Sequence, residues 1–201
     1  MRTSSVLSRR ATLGFLAAAT AFLASPVSAL NDQEASALIG KLVDDLNSII
    51  NSGKSESAMF DDFERMFARY ADVPIIAQSS LGAAWRSASS SQKSAYVKAF
   101  QVYMARKYGK RFREFIGGKI TVNATKQVTS GYLVNSTAKL AGSAPFALDW
   151  QVSDKSGQDK MFNLYIEGIS LLATERTEIA AMLDKRKGDL NQLISDLKSI
   201  N

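Results

Sequence analysis

Residues 117–166 read GGKITVNATKQVTSGYLVNSTAKLAGSAPFALDWQVSDKSGQDKMFNLYI, and their period decides the fold class. Phe146, Leu148, Trp150 and Val152 alternate with Ala147, Asp149 and Gln151, the two-residue repeat of a strand with one buried face. Ile120, Val122 and Ala124 alternate in the same way, Tyr132 to Leu140 forms a second candidate strand, and Met161 to Ile166 forms a fourth. Asp154-Lys155-Ser156-Gly157 carries the turn residues of a hairpin. The strands follow one another through short polar connections, so the stretch is predicted to be an antiparallel meander of about four strands.

On either side the period is helical. Asn31 to Glu34 has the pattern of a capping box. Ala35, Leu38, Ile39, Leu42, Val43, Leu46, Ile49 and Ile50 then recur at helical spacing up to Ser52-Gly53. A second helix carries Met59, Phe60, Phe63, Met66, Phe67 and Tyr70 on one stripe, and Asp72-Val73-Pro74 opens a third. Gly82 to Trp85 either continues the third helix or starts a separate turn. Ser89 to Gln92 precedes the longest stripe: Tyr96, Val97, Phe100, Tyr103, Met104, Tyr108, Phe112, Phe115 and Ile116, interrupted only at Gly109. After the meander, helices are predicted from Thr174 to Leu183 and from Leu190 to Ile200, with Lys187-Gly188-Asp189 supplying the stop and the next cap. Helices, then an antiparallel meander, then helices make an α+β fold, with the helices packed on one face of a curved sheet.

The first 29 residues read differently. Arg2, Arg9 and Arg10 precede an apolar run from Leu13 to Ala24, too short to span a bilayer comfortably. Val27-Ser28-Ala29 then puts small residues at a cleavage position. Residues 1–29 are predicted to be a cleavable signal peptide, in preference to an N-terminal membrane anchor. Ser8-Arg9-Arg10-Ala11-Thr12-Leu13 also resembles a twin-arginine signal. Residues 30–201 form one domain of 172 residues, with no internal repeat and no linker long enough to divide it.

Composition excludes much chemistry. There is no cysteine and no histidine. Disulfides, thiolate nucleophiles, Ser-His pairs and the commonest metal ligand are therefore all missing. The signal removes three arginines and no acid, which lowers the formal net charge from +6 to +3 and weakens a nucleic-acid reading. Asp61, Asp62 and Glu64 read as the polar face of a helix, and Ser170, with no histidine to activate it, as a turn or cap serine. No enzyme activity, cofactor or metal is expected.

Two features leave alternatives open. The aromatic and methionine side chains of the helices form either an ordinary core or the wall of a ligand cavity. The candidate lining comes from the long helix and the last two strands: Phe100, Tyr103, Met104, Tyr108, Phe112, Phe146, Leu148, Trp150, Phe162, Leu164 and Ile169. Arg106, Lys107, Lys110, Arg111 and Arg113, with Lys119 nearby, form either a solvated helix face or a docking patch for an acidic partner or anionic headgroups.

The order of the motifs is more specific than any one of them. Leu81-Gly82 is followed by Trp85, Ser87-Ala88, Gln92, Phe100, Tyr103 and Tyr108, then by Glu167-Gly168-Ile169-Ser170, Arg176 and Leu193-Ile194. This series resembles the toluene-tolerance family of periplasmic lipid-binding proteins, which includes the soluble shuttle of the Mla (maintenance of lipid asymmetry) phospholipid-transport system. The resemblance covers nearly all of residues 30–201. It implies a mixed fold with a deep apolar cavity between sheet and helices, lipid tails inside and a headgroup near the mouth. It also implies a monomeric periplasmic carrier that works with an inner-membrane ABC lipid transporter complex and an outer-membrane lipoprotein–porin complex. Asp159 and Asn163 stand where the family usually has Trp and Asp in the last strand. A branch of the family is associated with hopanoids, so a polycyclic lipid is the alternative cargo. A periplasmic interaction module with a filled core is the reading from a different class.

Overall fold

The computed structural model describes residues 29–110 and 115–199. The predicted signal peptide, apart from its last residue, lies outside them, as do Arg111, Phe112 and Arg113. The chain forms α1 (Asp32–Ile50), α2 (Glu56–Tyr70), α3 (Val73–Leu81), α4 (Ala84–Ser87), α5 (Ser90–Gly109), β1 (Lys119–Val128), β2 (Gly131–Lys139), β3 (Phe146–Ser153), β4 (Lys160–Ile166), β5 (Ile169–Ser170), α6 (Leu171–Lys185) and α7 (Leu190–Leu197). All five strands are antiparallel neighbours in chain order. The fold is α+β, with helices on one face of a curved, open sheet.

Local chemistry sets the helix starts. The Asn31 side chain accepts from the backbone N–H groups of Gln33 and Glu34, both at 3.0 Å, while Glu34 accepts from the Asn31 N–H. Each such cap satisfies donors that have no partner within the helix. Ser89 and Gln92 form a second capping box ahead of α5. Asp72, Ser170 and Asp189 cap α3, α6 and α7. Leu30, just ahead of the first cap, is buried, and its N–H donates to Asp154 in the β3–β4 hairpin.

The structure refines the sequence expectations in several places. The sheet has five strands, because Ile169-Ser170 pairs with Tyr165-Ile166 across a two-residue loop. Both loop residues, Glu167 and Gly168, sit at positive φ, the geometry that matches the twist of a tight hairpin. Glu167 is held there by Ala147, whose N–H donates to its carboxylate and whose carbonyl accepts its N–H. Second, α6 therefore begins at Leu171 instead of Thr174, and α7 ends at Leu197 instead of Ile200. Third, the β1 alternation fails at Ala124. A bulge between Val122 and Ala124 inserts an extra residue, leaving Ile120 buried but Ala124 exposed. Gly109, where the predicted stripe is interrupted, ends α5. A Cβ at Gly109 would lie 2.7 Å from Phe60 Cδ1, so the glycine allows α2 and α5 to approach closely. The short α4 is a separate turn beyond Gly82.

The inner sheet face is built from Val134, Ser136 and Ala138 of β2, which pair with Trp150, Leu148 and Phe146 of β3. On the helical side, α2 packs on α5, α3 on α6 and α5 on α7, while α1 crosses β1. The chain enters α3 along the sheet edge, where Asp72 N–H donates to Met161 O at 2.7 Å.

A charged cluster ties α5 to α6. Glu175 of α6 is fully buried and accepts from Lys107 Nζ at 2.6 Å and from Tyr108 Oη. Lys107 also pairs with Glu178, which accepts from Tyr103 Oη at 3.2 Å. Burial pulls the Lys107 ammonium down, but its hydrogen bonds to the two carboxylates outweigh this and raise its pKa. Burial and the adjacent carboxylates push both phenols up, so they remain donors.

Two stability measurements test this account. Lys107→Met leaves Glu175 buried without its cation and should cost about 3–5 kcal/mol in urea unfolding. The Lys107→Met/Glu175→Leu double variant should recover most of that loss, and a cost below about 1 kcal/mol for the single variant would contradict the pairing. At Gly131, φ is +136° and a Cβ would sit 2.2 Å from the Val152 carbonyl oxygen. Gly131→Ala should therefore destabilise the β2–β3 pairing by about 2–4 kcal/mol in the same assay.

Candidate functional site

A cavity of about 380 Å³ lies between the inner sheet face and the helices. Four features of the sequence build it. Phe146, Leu148 and Trp150 project from alternate positions of β3. In β4, Leu164 and Ile166 oppose Trp150 and Leu148. An irregularity between Gln151 and Val152 shifts the β3–β4 register, and both Met161 and Phe162 line the cavity. On α2, Phe63, Met66, Phe67 and Tyr70 line it at i, i+3, i+4 and i+7. Leu42 and Leu46 of α1 and Met104 and Tyr108 of α5 complete the helical wall.

Among the described lining residues, polar side-chain atoms belong to Tyr70, Tyr108, Trp150, Asn163 and Glu175, and the structure accounts for most of them. The Trp150 indole N–H donates to Ser136 Oγ at 2.8 Å, and Ser136 donates on to Leu148 O. Tyr70 Oη donates to Asp45 at 2.6 Å, and burial followed by that contact raises its pKa. Glu175 is engaged by Lys107 and Tyr108 through one oxygen. Asn163 Oδ1 accepts from the N–H groups of Leu164 and Leu172, while its Nδ2 donates to Gln151 and Ser170. Asn163 thus pins the first turn of α6 to β4, a local reason for an amide at this strand position. Asp159 is exposed in the β3–β4 hairpin, away from the cavity. Burial, then Glu34 and Asp154, raise its pKa.

Of the predicted lining residues, Met104, Tyr108, Phe146, Leu148, Trp150, Phe162 and Leu164 face the cavity. Phe100 and Tyr103 do not: both are buried in the helical core, where Phe100 lies 5.8 Å from the Tyr96 ring and 6.1 Å from that of Tyr103. Ile169 is 68% exposed on β5 and lies outside the lining. Phe112 lies outside the described residues. The α1 and α2 contributors were absent from the predicted lining. Their signal was the α2 stripe itself, rich in Phe and Met, but a stripe shows only that a face is buried and not what it faces.

Three of the five residues of the predicted docking patch are among the described residues. Lys107 is committed to Glu175 and Glu178, and Arg106 Nη1 donates to Lys198 O at 2.6 Å, holding the end of α7. Lys110 is exposed at the end of α5, while Arg111 and Arg113 lie outside the described residues. No group of three or more carboxylates able to hold a metal occurs among the described residues, and no helix among them is long and apolar enough to cross a membrane.

Comparison with known proteins agrees with this fold. The chain is similar to a phospholipid-binding protein from Ralstonia solanacearum solved in complex with a phospholipid: TM-score 0.70 at 22% identity, covering 82% of this chain and 95% of that one. It is 23% identical over 177 residues to the intermembrane phospholipid transport system binding protein MlaC of Haemophilus influenzae, spanning 83% of this chain and 82% of the relative. The model of the MlaC protein family matches residues 40–199. With most of its length matched by that model, the chain belongs to the MlaC family.

Proposed function

We propose that the protein is a periplasmic phospholipid carrier that moves lipid between the outer and inner membranes as the soluble component of an ABC-type transport system. The observation that carries this reading is the apolar cavity. Its volume falls within the roughly 300–1,000 Å³ of small-molecule sites, and its wall is almost entirely aromatic, aliphatic and thioether. Such a wall offers little to grip a polar substrate and no set of groups to transform one. The family membership and the phospholipid bound in the Ralstonia solanacearum relative support the choice of cargo.

Burial of a methylene contributes about 0.8 kcal/mol, so two acyl tails with roughly thirty methylenes represent about 24 kcal/mol gross. That exceeds the practical ceiling of about 18–21 kcal/mol for non-covalent affinity, so the net is smaller. A carrier of this kind keeps its cargo through purification and needs a partner to open it. The inner-membrane transporter and an outer-membrane lipoprotein–porin complex are the proposed partners. The carrier acts as a monomer without catalysis, and the Phe- and Met-rich wall tolerates variation in the tails.

Organic extraction of protein purified after expression of the full chain, followed by mass spectrometry, should recover about one phospholipid per molecule. Protein that carries no lipid at any measurable stoichiometry would overturn the proposal. Leu164→Trp adds an indole to the lining and should lower retained lipid by about tenfold, equivalent to about 1.4 kcal/mol. The circular dichroism spectrum should not change.

A further inference from the structure

Among the described residues, Leu30 is the first whose side chain is buried. It is 5% exposed and belongs to the core, whereas Ala29 ahead of it is exposed. Its backbone N–H donates to Asp154 Oδ2 at 3.2 Å, across a sequence separation of 124 residues. Asp154 opens the turn of the β3–β4 hairpin, where its carbonyl accepts from the Gly157 N–H at 2.8 Å. The same hairpin leads into Met161 and Phe162 of the cavity wall. The Leu30 nitrogen therefore sits at the joint between the start of α1 and the hairpin.

The charge gathered at this joint is of one sign. Glu34, Asp154 and Asp159 make no ion pair among the described residues. Burial, then the Glu34 and Asp154 carboxylates, raise the Asp159 pKa, so these acids act on one another with no cation to offset them. Lys160, one residue beyond Asp159, donates instead to the Arg69 carbonyl. A peptide N–H brings one donor and no charge to such a place. An α-ammonium brings three donors and a full positive charge at neutral pH.

Val27-Ser28-Ala29 is the cleavage pattern of the sequence, and the bond it offers to a signal peptidase is Ala29–Leu30. Hydrolysis adds water across that bond: Ala29 departs with a carboxylate, and Leu30 keeps its nitrogen as an ammonium. The atom that gains the charge is the one already 3.2 Å from Asp154.

We infer that removal of residues 1–29 creates the cation that this acidic joint lacks: the Leu30 α-ammonium pairs with Asp154 and locks the start of α1 to the β3–β4 hairpin. The positive end of the α1 dipole opposes a cation just ahead of the cap, but Asp32 and Glu34 in the first turn offset it. The inference rests on the predicted cut after Ala29 and is independent of the cargo. It makes processing a step that completes the fold as well as one that releases the chain.

A cycle of two changes tests it. The full chain is expressed with export, and the mature protein is purified and delipidated. Its intact mass should place the N-terminus at Leu30. In a second form, an asparagine inserted between Ala29 and Leu30 preserves the small residues at the cut. It moves the ammonium out by one residue and leaves Leu30 a neutral N–H. The thermal midpoint of this form should fall by about 3 °C. Asparagine at position 154 still accepts from the Leu30 nitrogen but carries no charge. In an Asp154→Asn background the same insertion should therefore shift the midpoint by less than about 1 °C. An N-terminus other than Leu30 overturns the inference, and so do equal midpoints with and without the insertion. An equal fall in both backgrounds also overturns it, since the loss would then come from packing and not from the charge. None of these measurements counts lipid, so their failure leaves the carrier reading in place.

Discussion

Val134 and Ala138 of β2 and Leu148, Trp150 and Val152 of β3 present one continuous apolar sheet face, and that face has to be kept from water. A sheet hydrophobic on one side is stable only when something covers it. In this molecule the cover is incomplete by construction. Helix α1 runs close to β1. Toward β3 and β4, the helices stand away and leave a cavity. Irregularities in β1 and in the β3–β4 pairing bend the sheet, and the Lys107–Glu175 contact holds α5 against α6 over it. A buried charge pair is a costly way to join two helices, but it is directional.

The long helix α5 shows how one stripe can serve two surroundings. Tyr96, Phe100 and Tyr103 fill the helical core, while Met104 and Tyr108 at its far end line the cavity. Helix α2 divides sideways instead of lengthwise: Phe63, Met66, Phe67 and Tyr70 line the apolar cavity, and the neighbouring face carries Asp62, Arg65 and Arg69.

Much of the fold was legible before the structure. The capping pattern Asn31–Glu34, the caps at Asp72 and Asp189, the alternation Phe146–Val152 and the hairpin signal Asp154–Gly157 all act within a few residues of chain. Local hydrogen bonding and the two periodicities are sufficient to specify them. The same holds for the absence of histidine and cysteine, which is a property of composition alone. Of the site, the β3 face and the end of α5 were legible because their apolar side chains repeat at the right spacing.

The tertiary structure decided what each buried face meets. Phe100 and Met104 sit one turn apart on the same stripe, yet Phe100 packs between the Tyr96 and Tyr103 rings and Met104 lines the cavity. Ile169 looked apolar enough to line a cavity, but the tight Glu167-Gly168 loop turns it outward. Lys107 looked like surface charge until α6 brought Glu175 against it from a sequence separation of 68 residues. Periodicity records that a side chain is withdrawn from water. Whether it is withdrawn into packing, into a cavity or onto a counter-charge depends on elements distant in the chain, and only their assembly settles it.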